Sequence, residues 1–364
     1  RVQTFASRVE RWLSLRSKPN AAKKLAVVYY KGPGQNAMAA AALEVAPSLL
    51  NLLKRLKAEG YDLGDLPESV EEFQARIQRQ GPVLGAYAEG AFEAFLKEGD
   101  PEIIPAADYE TWARAGILAD AYKAVEEQYG PAPGKFLATE RDGTTALALP
   151  RVRFGNVVLL PQLLPAMGDD SSKLIHGAKV APPHPYLATY LWARYGFKAD
   201  ALVHFGTHGS LEFTPWKQNS LSGMDWPDAL VGDLPHAYLY IINNIGEAVI
   251  AKRRSYATLV SHLTPPFAES DLYGPLKELQ TAIGSWQSTT DEALKAELVA
   301  TITRVVREQK IDRDLGLPES STPLDEDQIE HVHDYLMTVG LEKITRGLYT
   351  LGVPYPEDRV IETA

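Results

Sequence analysis

Four short apolar runs, bounded by turn residues and separated by helical stretches, constrain this chain more than any other feature. They are KLAVVYY (24–30), NVVLLPQ (156–162), ALVHF (201–205) and AYLYIINN (237–244). Continuous apolar, β-branched and aromatic residues suit strands that are covered on both faces, as in a parallel sheet. The gaps read as helices. Residues 37–59 have a wide apolar face and end at Gly60, after the turn KGPGQN. Further helical patterns lie near 68–79, 91–98 and 108–128. HPYLATYLWARYGF (184–197) is an amphipathic helix closing at Gly196. Strands alternating with helices predict an α/β fold with mostly parallel sheets flanked by helices.

From about 275 onward only helical patterns remain, which predicts a helical C-terminal portion. The acidic, Pro- and Ser-containing stretch DRDLGLPESSTPLDEDQ (312–328) interrupts it as a linker or mobile loop. The expected division is therefore an α/β domain with helical insertions over 1–150, a second α/β domain over 151–310, and a linker with a helical segment over 311–364.

Composition narrows the chemistry. Of 364 residues, 45% are apolar, enough for a substantial core. The formal charge of −10 argues against non-specific nucleic-acid binding, which needs clustered cations to neutralise phosphates. There is no cysteine, so a metal would meet imidazole, carboxylate or carbonyl groups. No apolar run reaches the roughly 18 residues of a membrane helix. The nearest, AMAAAALEVAPSLLNLL, is broken by Glu44 and Pro47. The chain opens on Arg1 without a visible leader and is expected to be an internal portion of a larger multidomain protein. That leaves a cytoplasmic or membrane-associated location open.

The stretch ADALVHFGTHGSLEFTPWKQ (199–218) concentrates unusual residues. His204 and His208 stand four apart, Glu212 four further on, with Gly206 and Gly209 among them. The glycines weaken a continuous helix, so a loop after the strand 201–205 fits better. In open α/β sheets ligands bind beyond the carboxyl ends of strands. Imidazole and carboxylate there can hold a divalent cation or shuttle protons. The plainer alternative is a hydrogen-bonded core histidine at 204 and a surface histidine at 208.

Other polar residues gather around this stretch. His184 sits in the proline-rich APPHPY, and Glu247 precedes the cations Lys252, Arg253 and Arg254. Those cations suit either a solvated helix face or a grip on a carboxylate or phosphate. His262 precedes two prolines. His331 and His333 would point about 200° apart on a helix and do not form a joint ligand pair. There is no P-loop and no zincin motif.

The block PPHPYLATYLWARYGFKADALVHFGTHGSLEFTPWKQ, followed by PDALVGDLPHAYLYIINNIGEAVIAKRRSYATLVSHLTPP, resembles the core of the large subunit of cobaltochelatase and magnesium chelatase, the CobN/BchH family. NAAKKLAVVYYKGPG, LLKRLKAEGYDL, YGPAPGK, RFGNVVLLPQ and GLYTLGVP fall in the family's order, so the likeness spans most of the chain. It implies a tetrapyrrole-binding enzyme that moves a divalent metal ion (cobalt, magnesium or iron) into a porphyrin- or corrin-type macrocycle. Haem-dechelating HmuS-type relatives would run the transfer outward. ATP would be used only through separate AAA+ partner subunits, in keeping with the missing P-loop.

Carried onto this chain, the resemblance implies His204, His208 and Glu212 as catalytic and metal-holding residues. It implies His184, Trp216, Lys217, Arg253 and Arg254 as contacts for the ring. The family's usual Pro-Gly-Lys after the glutamate reads Pro215-Trp216-Lys217 here. An indole at that point offers a stacking face and tilts the reading toward haem. The alternative is a tetrapyrrole carrier or sensor that keeps the fold without the reaction.

Overall fold

The computed structural model describes residues 2–30, 39–40, 42–85, 89–166, 180–206, 209–215, 217, 219, 221–264, 267–269, 272, 274–317, 322–341, 343–345, 348–357 and 361. Contacts divide the chain into two units. The first holds residues up to 264 together with 348–355, and the second holds 265–347 and 356–364.

The first unit is built on a six-stranded sheet. Its strands are β1 (Leu25–Tyr29), β2 (Val152–Phe154), β3 (Val157–Pro161), β4 (Ala201–Phe205), β5 (His236–Ile241) and β6 (Thr258–His262). They lie in the order β6-β5-β4-β1-β3-β2. Every pairing is parallel except β2 against β3. All four apolar runs are thus strands of one sheet.

The lack of alternation in β1 has a direct cause. Leu25, Val27 and Tyr29 pack with Val157, Leu159 and Phe205 on one face, against Leu49 and Leu53 of helix α1 (Val45–Ala58) and Phe73 and Ile77 of α2 (Val70–Gln80). Ala26 and Val28 pack with Val158, Leu160 and Leu202 on the other. That face is covered by α3 (Ala106–Gly116), α4 (His184–Leu191) and the helix Trp226–Val231. Each large apolar side chain fully buried this way contributes about 1.5–3 kcal/mol. Helix α4 runs into a π-helical turn, Trp192–Gly196.

The expected boundary near 150 falls inside this unit, because β1 lies between β3 and β4. What 1–150 adds is an antiparallel three-stranded sheet, Glu102–Pro105, Thr144–Leu149 and Ala138–Arg141. The second unit begins at 265 rather than 311. Helices Pro275–Ser288, Glu292–Glu308 and Glu326–Leu341 bury Leu279, Ile283, Ile302, Val306, Val332 and Leu336 together. The acidic 312–328 stretch is partly helical at both ends, in Ile311–Asp314 and from Glu326.

Candidate functional site

Strand register brings the polar residues together. In β4 and β5, Leu202 lies beside His236, and His204 beside Tyr238. Val28 of β1 lies on the other side of His204. Side chains two apart share a face, so His236, Tyr238 and Tyr240 continue the face that holds Ala26, Val28 and Leu202. An apolar sheet surface therefore turns polar toward its carboxyl edge, where ligands bind in open α/β sheets.

His204 is buried, and both its ring nitrogens are engaged. Nδ1 lies 2.7 Å from Nε2 of His236, and Nε2 lies 3.0 Å from the Tyr190 hydroxyl. His236 Nδ1 donates to the Ser255 carbonyl at 3.0 Å. Burial, and then the neighbouring His236, hold the His204 imidazole well below the usual histidine range. Burial likewise lowers His236 to about 4, with Arg8 adding to the effect and the Ser255 carbonyl opposing it. Two neutral rings in contact follow from removing both from water.

Glu212 sits on a single 3-10 turn, Leu211–Phe213, and is fully buried. The Tyr238 hydroxyl donates to its Oε1 at 2.9 Å and lies 3.1 Å from Oε2. The Tyr240 hydroxyl stands 3.2 Å from Glu212 Oε1 and 3.3 Å from Glu247 Oε2. Burial first, and the Glu212 charge second, push both tyrosines well above the usual phenol range, so they remain donors. The Tyr238 ring stacks on His204 with centroids 4.8 Å apart and planes 20° apart. One tyrosine thus connects the imidazole chain to the carboxylate.

The two glycines have specific roles. Gly206 adopts φ +107°, and a Cβ there would meet the Ala40 Cβ at 2.7 Å. The Gly209 N–H donates to the Tyr238 hydroxyl, and a Cβ at 209 would sit 2.2 Å from that oxygen. The backbone's close approach is to this tyrosine.

Arg254 differs from its expected role. It is buried on α5 (Ile245–Ser255), and its guanidinium donates to main-chain carbonyls of the loop. Nε reaches Lys217 O at 3.0 Å, Nη1 reaches Glu212 O at 2.6 Å and also Thr214 O, and Nη2 reaches Pro215 O at 2.9 Å. Carbonyls, not an anionic group, take its hydrogen bonds, because the loop folds back over the helix end. Asp225, also buried, accepts from the Lys217 N–H at 2.8 Å and from Ser222. The Lys217 and Arg253 side chains are exposed.

His184 lies in different surroundings. It is buried, with Nδ1 2.9 Å from the Tyr109 hydroxyl and Nε2 2.9 Å from the Gly130 carbonyl. Burial lowers its pKa, opposed by the Gly130 contact. It borders a pocket of about 450 Å³ with Tyr129, Pro133, Gly134, Lys135 and Phe136. Neither His204 nor Glu212 is among the residues that line that pocket. His208 and Trp216 lie outside the described residues. Among the described residues no group of three His, Asp or Glu side chains is arranged to hold a metal ion.

Reading the sequence alone singles out His204 and Glu212 but misses His236, Tyr238, Tyr240 and Tyr190. The available signal was the period-2 spacing of His236, Tyr238 and Tyr240 inside an apolar run.

The CobN/Magnesium Chelatase family model matches residues 1–364. The chain belongs to that family. It is 36% identical over 97% of its length to the magnesium-chelatase H subunit of Rhodobacter capsulatus, of which it covers 27%. It is 31% identical over 97% of its length to the aerobic cobaltochelatase subunit CobN of Pseudomonas aeruginosa, again covering 27% of that protein. Among solved structures, the catalytic subunit of cobaltochelatase from Mycobacterium tuberculosis superposes with a TM-score of 0.75 at 29% identity. That match covers 99% of this chain and 30% of the other. The chain therefore spans little more than a quarter of the length of these curated relatives.

Proposed function

We propose that this chain carries the proton-exchanging part of a tetrapyrrole metal-transfer centre, within a chelatase large subunit. The observation that supports it most is Glu212, a fully buried carboxylate at the carboxyl edge of a parallel sheet, served by the Tyr238 and Tyr240 hydroxyls. Burying a carboxylate is costly, and a chain built only for stability gains little from it. Metallating a porphyrin-type ring needs a base for the pyrrole N–H protons and a group that holds a partly dehydrated cation near the ring. A carboxylate does both.

In this reading Glu212 accepts the protons and faces the metal substrate, and His208 keeps the metal-holding role that the resemblance implies. His204 stands behind Tyr238. It becomes a ligand only by releasing Tyr190 from Nε2. The names of the relatives favour magnesium or cobalt as the substrate. Removal of iron from haem would be the reverse of the same chemistry. AAA+ partners would supply the ATP step.

The test is Glu212→Gln in the full-length protein. The substitution keeps the shape and removes the charge. Metal transfer, followed by the tetrapyrrole absorption spectrum, is expected to fall about 10²-fold or more, with ring affinity largely kept. A wild-type rate would remove Glu212 from the chemistry. A wild-type protein that binds the ring and transfers no metal in either direction would favour the carrier or sensor.

A further inference from the structure

The Ser255 carbonyl fixes every proton along the buried histidine chain. A carbonyl oxygen only accepts, so His236 Nδ1, 3.0 Å away, carries a hydrogen. His236 is buried and its ring nitrogens meet only the Ser255 carbonyl and His204, with no carboxylate to balance a charge, so the ring is neutral and its Nε2 has a lone pair. The 2.7 Å contact to His204 then requires the hydrogen to sit on His204 Nδ1. His204, also neutral, is left with a lone pair on Nε2, and the Tyr190 hydroxyl donates to it at 3.0 Å. Tyr190 has one hydrogen and cannot also donate to Gln162 Oε1 at 3.3 Å. Gln162 Nε2 is buried without a partner. Turning that amide over places an N–H against the Tyr190 oxygen. All the hydrogen bonds then run one way, from Gln162 through Tyr190, His204 and His236 to the end of α5.

The receiving carbonyl is at a helix C-terminus, where the last carbonyls lack intrahelical partners and carry partial negative charge. Arg254, the preceding residue, holds the carbonyl of Glu212. One helix end therefore anchors both the imidazole chain and the carboxylate loop.

We propose that His236 is a positioning residue for His204. It accepts the His204 Nδ1 hydrogen while anchored to Ser255, and so holds His204 in one tautomer and one ring orientation beneath Tyr238. The consequence for metal transfer rests on the function proposed above. The tautomer does not.

The experiment uses full-length protein labelled with 15N-histidine, with His204 resonances assigned by loss in His204→Gln. Wild type is expected to show His204 protonated at Nδ1 and unprotonated at Nε2. His236→Phe, which offers no acceptor, is expected to lose that pattern and to transfer metal about 10–100-fold more slowly, the usual range for removing a ligand's orienting partner. His236→Gln places an amide oxygen near the former Nε2 and is expected to restore both pattern and most of the rate. A wild-type His204 protonated at Nε2 overturns the proposal. So does a pattern in His236→Phe identical to wild type. Should His236→Phe fail to fold, the wild-type spectrum and the His236→Gln rate still decide. The expected tautomer in a wild type that transfers no metal would sink the functional reading and leave the positioning intact.

Discussion

His184 and His204 share much and differ in one respect. Both are buried, both contact a tyrosine hydroxyl, and burial lowers the pKa of both. His184 begins α4, a helix that covers one face of the sheet, and His204 belongs to strand β4 of that sheet. The hydrogen bonds of His184 stop at Tyr109 and the Gly130 carbonyl, beside an open pocket. Those of His204 continue through His236 to Ser255, and its ring stacks on the tyrosine that serves Glu212. Burial and a lowered pKa therefore do not distinguish the two histidines. What a hydrogen-bond chain reaches is the more informative property.

The strongest way to break the His204 side without touching a histidine is Arg254→Met. Four loop carbonyls, at 212, 214, 215 and 217, lose their donor in a buried place. Each buried carbonyl left without its donor costs about 1–3 kcal/mol. Hydrogen exchange is expected to show faster amides over 209–217 and Tyr129–Phe136 unchanged. Equal loosening of both regions would mean that the two histidine surroundings are one cooperative element.

Acidification separates the regions by a smaller amount. The folded-state pKa of His236 is about 4, below the 6.5 of an ordinary histidine. Its contribution is complete above pH 6.5, where both states are neutral. It is lost as pH falls toward 4, because the unfolded chain takes up the proton first. A displacement of that size corresponds to about 3 kcal/mol. His204 and His184 are shifted in the same direction and act with the same sign. The denaturation midpoint should drop between pH 6.5 and 4, and His236→Gln should flatten that slope more than His184→Gln does. A midpoint rising on acidification would contradict neutral burial.

The sheet was legible in the sequence because its strands are covered on both faces, which writes apolar runs into β1, β3, β4 and β5. The unit boundary was not. It depends on β1 pairing with residues more than 130 positions away, and no local pattern records that choice. His204 and Glu212 were legible through spacing beside glycine. Tyr238 and Tyr240 were hidden because tyrosine counts as apolar in a strand, and only the register with His204 makes the hydroxyls relevant. Arg254 was visible as a cation, but its partners are main-chain carbonyls, which every residue has and no sequence pattern marks.

The smallest effect is the most discriminating. His184→Phe keeps an aromatic ring beside Tyr109 and Tyr122 but removes both hydrogen bonds. The Tyr109 hydroxyl, itself buried, is left without its imidazole partner. An unsatisfied buried group of this kind costs about 1–3 kcal/mol, which a thermal melt should register as a lowered first transition. If the His184 pocket is separate from the chemistry at Glu212, metal transfer by the folded protein stays within about twofold of wild type, a barrier change under about 0.4 kcal/mol. Ring affinity and rate should then both match wild type at temperatures below the melt. A rate lost in proportion to that of Glu212→Gln would place His184 in the same centre and erase the distinction between the two histidines. Weakened ring binding with an intact rate constant would instead make the 450 Å³ pocket part of the tetrapyrrole's seat.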